Sequence, residues 1–111
     1  MVNPKDKAYF QHILDAIDLI GKYLNGKAYE DFSRDQLLQD GVVRELEIIG
    51  EAVKNISDDF KKENPEIKWK KAAGMRDKLI HDYFSVDIKA VWETAHGDIA
   101  ELKSALREKI K

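Results

Sequence analysis

Apolar residues recur at three- and four-residue spacings along most of the chain, the period of helices buried on one side. The first stripe is Phe10, Ile13, Leu14, Ile17, Ile20 and Leu24. Asn3 followed by Pro4 is a start signal, a side-chain cap and then a proline in the first turn. Asn25-Gly26 marks the end, where glycine can take the left-handed cap. A short loop from Lys27 to Phe32 is expected next. The second helix is predicted from Ser33, because Gln36 three residues later completes a capping-box pattern. Its stripe is Leu38, Val42, Leu46, Ile49, Val53 and Ile56. Gly50 lies beside Leu46 and Val53 on that stripe. Glycine inside a helix costs about 1 kcal/mol relative to alanine, so a close approach by another helix is expected there.

Residues 57–68 interrupt the pattern. Ser57-Asp58-Asp59 can cap one short helical turn, and Pro65 ends it. A third helix is predicted over Trp69 to Phe84, carrying Trp69, Ala72, Ala73, Met75, Leu79, Ile80 and Tyr83. The small residues Ala72, Ala73 and Gly74 let it lie deep against its neighbours. Asp87 is the predicted cap of a helix with Ile88, Val91, Trp92 and Ala95, which Gly97 ends. Asp98, with Glu101 three residues on, opens a last stripe of Leu102, Leu106 and Ile110. The expected fold is all-α: an up-and-down bundle of four main helices plus a short fifth, in one domain over 1–111.

Composition narrows the possibilities. With 111 residues the chain is one domain's worth. It has no cysteine, which removes a disulfide framework, a thiolate zinc site and a cysteine nucleophile. Charged residues are 36% and hydrophobic ones 43%, a globular composition. No uncharged run approaches the roughly 18 apolar residues of a membrane span, and Met1 to Asp6 contains no apolar signal region. A cytoplasmic helical protein, without membrane partners, is therefore expected. The net charge is −2, but residues 27–59 carry nine acids against four bases, and residues 61–78 carry seven bases against three acids. That basic segment (Lys61, Lys62, Lys68, Lys70, Lys71, Arg76, Lys78) is either a solvated face or a contact for an anionic partner.

Candidate chemistry centres on histidine. His12 falls beside the first apolar stripe and is read as structural. His96 ends the run Glu93-Thr-Ala-His96, the E-x-x-H spacing of di-iron bundles, but those need two copies and further glutamates, and this chain has one. No metal site and no cofactor are therefore expected. His81 stands in the run Arg76-Asp77-Lys78-Leu79-Ile80-His81-Asp82-Tyr83. On a helix Asp77 and His81 are neighbours, so Asp77 could orient the imidazole. Arg76 and Tyr83 share a stripe, whereas Arg76 and His81 are about 140° apart. The pair converges only if the helix distorts, the arginine reaches round, or a second copy supplies the partner group. Arginine presents a planar fork suited to phosphate, and histidine exchanges a proton near neutral pH. Together they suit attack of a ribose 2′-hydroxyl on the adjacent phosphate. The plainer alternative is a surface arginine and a histidine near a helix end.

Arg76-x-x-x-x-His81-x-Tyr83 resembles the signature of HEPN domains, in particular the HepT-like toxins of MNT–HEPN toxin–antitoxin pairs. The similarity covers most of the chain. It includes Arg44-Glu-Leu-Glu-Ile-Ile-Gly-Glu-Ala52, the approach Ile67-Lys-Trp69 and Gly74-Met-Arg-Asp77, the stretch Val86 to Trp92, and Asp98-Ile-x-x-Leu102. Ala100 departs from it, standing where relatives often have proline. The resemblance implies a HEPN-like bundle that homodimerises with its motif helices facing each other. It implies a metal-independent endoribonuclease acting as a toxin on RNA rather than DNA. Arg76 and His81 map onto the catalytic pair and Asp77 onto the supporting polar position. Tyr83 maps onto the tyrosine that a cognate MNT-type nucleotidyltransferase antitoxin modifies with AMP. The alternative is a non-catalytic helical partner, or a substrate-presenting domain, of a nucleotidyltransferase.

Overall fold

The computed structural model describes residues 2–74 and 87–109. Every regular element among them is a helix: α1 Pro4–Leu24, α2 Tyr29–Arg34, α3 Gln36–Asn55, α4 Asp58–Glu63, α5 Trp69–Ala73, α6 Ile88–His96 and α7 Asp98–Lys109. The fold is the all-α bundle that the periodicity predicts.

The two longest helices, α1 and α3, form the axis. Asn3 accepts a hydrogen bond from the Lys5 amide at 2.8 Å, so α1 starts where its cap signal lies. It ends before Gly26, whose φ of 72° is the left-handed conformation glycine tolerates. The two helices run antiparallel. Asp6, near the start of α1, reaches Ser57 just beyond α3. Tyr23, near the end of α1, lies against Gly41 near the start of α3. Between them Phe10, Ile13, Ile17 and Ile20 bury against Val42, Leu46, Ile49 and Val53. Each such side chain contributes roughly 1.5–3 kcal/mol on burial, which makes this seam the main source of cohesion.

Two predicted boundaries are corrected. The stretch expected as a loop up to Phe32 contains α2, because Phe32 is fully buried and the Asp31 carboxylate accepts the Ala28 amide at 2.8 Å. The second long helix starts at Gln36 and not at Ser33. Its cap is Asp35, which accepts from the Leu38 amide at 3.0 Å, while the Ser33 hydroxyl donates back to the Glu30 carbonyl. Gln39, buried, then ties α3 to α2 through the Phe32 carbonyl at 2.9 Å.

Ser57 does cap a short helix: its hydroxyl accepts from the Phe60 amide. Phe60 is clamped between Phe10 and Trp69, with ring centroids 4.7 and 5.8 Å away. The Trp69 indole donates to the Asn64 carbonyl at 3.0 Å, fixing the entry to α5. Of the helix predicted over 69–84, the described part is α5, Trp69–Ala73, with Gly74 as its C-terminal cap. Its remaining residues, including Met75, Leu79, Ile80 and Tyr83, lie outside the described residues, as does Ile110 of the last stripe. Only Gly97 separates α6 from α7, and Asp98 is the first residue of α7 rather than a cap before it.

Candidate functional site

Arg76, Asp77, His81 and Tyr83 all fall between 75 and 86, outside the described residues. The structure describes the two ends that flank that segment. The incoming end is α5. A methyl group built on Gly50 of α3 would sit 3.2 Å from the Ala73 carbonyl oxygen and 3.6 Å from that of Ala72. The close approach predicted for Gly50 is thus made by α5, backbone against backbone. Ala72 is buried in this contact, and Gly74 closes the turn by donating to the Lys70 carbonyl at 3.0 Å. Arg76 follows Gly74 by two residues.

The outgoing end is α6. Asp87 is its cap, accepting from the Ala90 amide at 3.0 Å, as the sequence predicts. Val91 is buried, and Trp92 packs its ring against Tyr29 and Phe32 of α2 at 5.8 and 5.4 Å. Tyr83 precedes Asp87 by four residues. Both ends of the motif segment are therefore anchored through packed aromatic or backbone contacts to the α2–α3 half of the molecule.

The basic run divides into two groups. Lys71 pairs with Asp98 of α7 at 3.4 Å, and Lys68 with Glu101 at 3.8 Å. The second pair is exposed at both ends and so contributes little. A third link joins Lys109 to Glu66 at 2.8 Å. The Lys109 ammonium, as hydrogen-bond donor to it, holds the Glu66 carboxyl below the usual glutamate range. Lys62 and Lys70 are exposed and enter none of the ion pairs among the described residues. Between α5 and α7 lies a cleft of about 110 Å³, floored by Ile67, Ala72, Leu102 and Ala105. That is well below the 300–1,000 Å³ of ordinary ligand sites, so it is a packing seam.

The other histidines take distinct places. His12 is exposed on α1 and edge-on to Tyr9, with centroids 6.0 Å apart. His96 is exposed at the end of α6. Its ring stacks on Trp92 with centroids 4.1 Å apart, and its Nδ1 lies 2.8 Å from the Trp92 carbonyl oxygen. Among the described residues no three histidine, aspartate or glutamate side chains gather as a metal site. No described helix is long and apolar enough to cross a membrane.

Sequence reasoning missed two features. The Trp92–His96 stack was signalled only by its four-residue spacing. The burial of Asp6 had no local signal at all, since its partner is 51 residues away.

Comparison with known proteins defines the class. The family model for ribonuclease HepT-like proteins matches residues 13–108, so the chain belongs to the ribonuclease HepT-like family. It is 50% identical over 97 residues to a protein of Thermococcus cleftensis named probable ribonuclease HepT, covering 87% of this chain and 88% of that one. It is 43% identical over 102 residues to a candidate RNase of Caldanaerobacter subterraneus, covering 92% and 91%. A Methanocaldococcus jannaschii protein, named as a gamma-glutamylcyclotransferase and candidate RNase, is 45% identical over 90% of this chain but only 45% of its own length. No solved structure matches the chain.

Proposed function

We propose that this protein is the toxin of a toxin–antitoxin pair, a single-domain, metal-independent endoribonuclease that acts as a homodimer. The observation that carries the reading is the family match over residues 13–108, a range that contains Arg76-x-x-x-x-His81-x-Tyr83. In this reading His81 takes the proton from a ribose 2′-hydroxyl, and the freed oxygen attacks the neighbouring phosphorus. The bond to the 5′ oxygen breaks, leaving a 2′,3′-cyclic phosphate on one fragment and a 5′-hydroxyl, which takes up a proton, on the other. Arg76 stabilises the negative charge that builds on the phosphoryl oxygens. Asp77 orients His81. RNA supplies its own nucleophile, so the step requires no metal-activated water.

If residues 76–81 continue as the helix that the sequence predicts, Arg76 and His81 diverge by about 140°, and this supports a composite site built by two copies across a two-fold axis. Silencing follows from Tyr83. Transfer of AMP to its hydroxyl by a partner nucleotidyltransferase adds a phosphodiester charge and a bulky base beside Arg76, where the RNA phosphate must bind.

Expression of wild type and His81→Ala, each with and without a cognate MNT-type nucleotidyltransferase, tests the reading. Wild type alone arrests growth, and both the variant and the co-expressed pair do not. Arrest that persists in His81→Ala would overturn it in favour of a non-catalytic partner of the nucleotidyltransferase. Tyr83→Phe stays toxic but escapes neutralisation, and the wild-type peptide spanning Tyr83 gains the mass of AMP when co-expressed.

A further inference from the structure

The geometry points to a base-stacking subsite for single-stranded RNA on the outer face of α6, built by Trp92 and His96 with Lys89 beside them. The inference rests on the ribonuclease reading and adds a place where substrate is held outside the motif segment. Lys89, Trp92 and His96 are spaced three and four residues apart, so they form one stripe along α6. Lys89 and His96 are exposed, and Trp92 is half-buried between them.

The aromatic rings form a graded stack. Phe32 is fully buried, with its centroid 5.4 Å from that of Trp92. The Trp92 ring lies 4.1 Å from the imidazole of His96 at a tilt of 40°. His96 is exposed, so this run of ring contacts begins in the core and ends at solvent. Tyr29, 38% exposed, meets the Trp92 ring edge-on at 5.8 Å and buttresses it from the side. Contact between His96 Nδ1 and the Trp92 carbonyl oxygen fixes the imidazole, so little rotamer freedom is lost when a further ring stacks on it. Rigid flat rings reaching solvent beside a cation are what unpaired bases and their phosphates use, without strong sequence preference.

Position favours this occupant. The stripe starts two residues after the Asp87 cap, where the motif segment ends, and leads away from it. Lys89 to His96 spans seven residues, about 10 Å at 1.5 Å per residue. At roughly 3.4 Å per stacked nucleotide this is the length of about three nucleotides. Glu93, on the same helix, limits the net charge of the face, so base stacking rather than phosphate attraction carries the affinity.

The test uses the full-length protein and a 5′-labelled 2′-O-methyl oligoadenylate of about eight nucleotides, which keeps its bases but lacks the attacking hydroxyl. Binding is read by fluorescence polarisation, and cleavage of the matching RNA is measured in parallel. His96→Ala should weaken binding about fivefold or more, the lower end of measured stacking losses, and His96→Phe should restore most of it. An abasic oligomer of equal length should bind wild type no better than it binds His96→Ala. Equal affinity of wild type and His96→Ala overturns the subsite. Equal loss in His96→Ala and His96→Phe, with both variants folded by circular dichroism, overturns stacking as its basis. Binding without any RNA cleavage would remove the ribonuclease reading and leave the subsite standing; cleavage with unaltered His96→Ala binding would do the reverse. Absence of both would overturn both.

Discussion

Asp6 shows how much a single side chain can hold. It is 2% exposed, and its carboxylate accepts from the Ser57 amide at 2.8 Å and the Ser57 hydroxyl at 2.6 Å. The same hydroxyl caps α4 by accepting from Phe60. One acid thus joins the start of α1, the end of α3 and the start of α4. Asp6→Ala leaves a part-buried amide and hydroxyl without their charged acceptor, and bonds of this kind are worth roughly 1.5–3 kcal/mol. We expect a loss of about 2–3 kcal/mol by chemical denaturation, and a smaller loss in Asp6→Asn, which keeps one acceptor. Nothing around Asp6 in the sequence signals this, because an acid in a first turn reads as a dipole contact on an exposed helix end. By contrast Asn3, Ser57 and Asp87 were legible as caps, since a cap needs only its own next three residues. Ser33 misled for the same local reason. Ser33 and Asp35 both suit a cap, and the burial of Phe32, a tertiary fact, decides for Asp35.

Among the elements, α5 is the one that conveys structure to the motif. Its seat is Gly50, and the contact was predictable from the cost of a glycine on an apolar stripe. What was not legible was the end of α5 at Ala73, since Ala72-Ala73-Gly74 continues a helical pattern as easily as it stops one. Gly50→Ala trades about 1 kcal/mol of helix propensity against a methyl 3.2 Å from a backbone carbonyl, so its effect on stability should be small. Gly50→Val cannot be so accommodated. Overpacking of this kind costs about 1–3 kcal/mol, and α5 must move away, carrying the approach to Arg76 with it. Gly50→Val should therefore lose ribonuclease activity beyond what its fraction unfolded explains, measured at a temperature where it is fully folded. The far side of α5 is fastened to α7 by charge. Glu66, held below the usual range by Lys109, should titrate by NMR at lower pH than an ordinary glutamate. Because the folded value is depressed, this link stabilises above the unfolded pKa and is lost as pH falls through the folded one. Lys109→Ala should bring the midpoint back up; an unchanged midpoint would show that the link is absent in solution.

For the molecule as a whole, the all-α class and the order of its motifs were readable because helical periodicity and capping are local. The candidate site was readable as a residue pattern, Arg76, Asp77, His81 and Tyr83, while no spacing within one chain encodes how those groups converge. The composite site proposed above requires a dimer. Sedimentation should give twice the chain mass at micromolar concentration, and mixing Arg76→Ala with His81→Ala should restore part of the activity if each copy contributes one group. A monomer that still cleaves RNA would refute the composite site. The central claim, that Arg76 and His81 perform 2′-hydroxyl attack without a metal, meets its most direct test in the ends of the cut RNA. Purified protein in excess EDTA should produce 2′,3′-cyclic phosphate and 5′-hydroxyl termini, and His81→Ala should slow this by about 10²–10⁴, the usual worth of a general base. Cleavage that stops with EDTA and returns with magnesium, or that proceeds unchanged in His81→Ala, would contradict it.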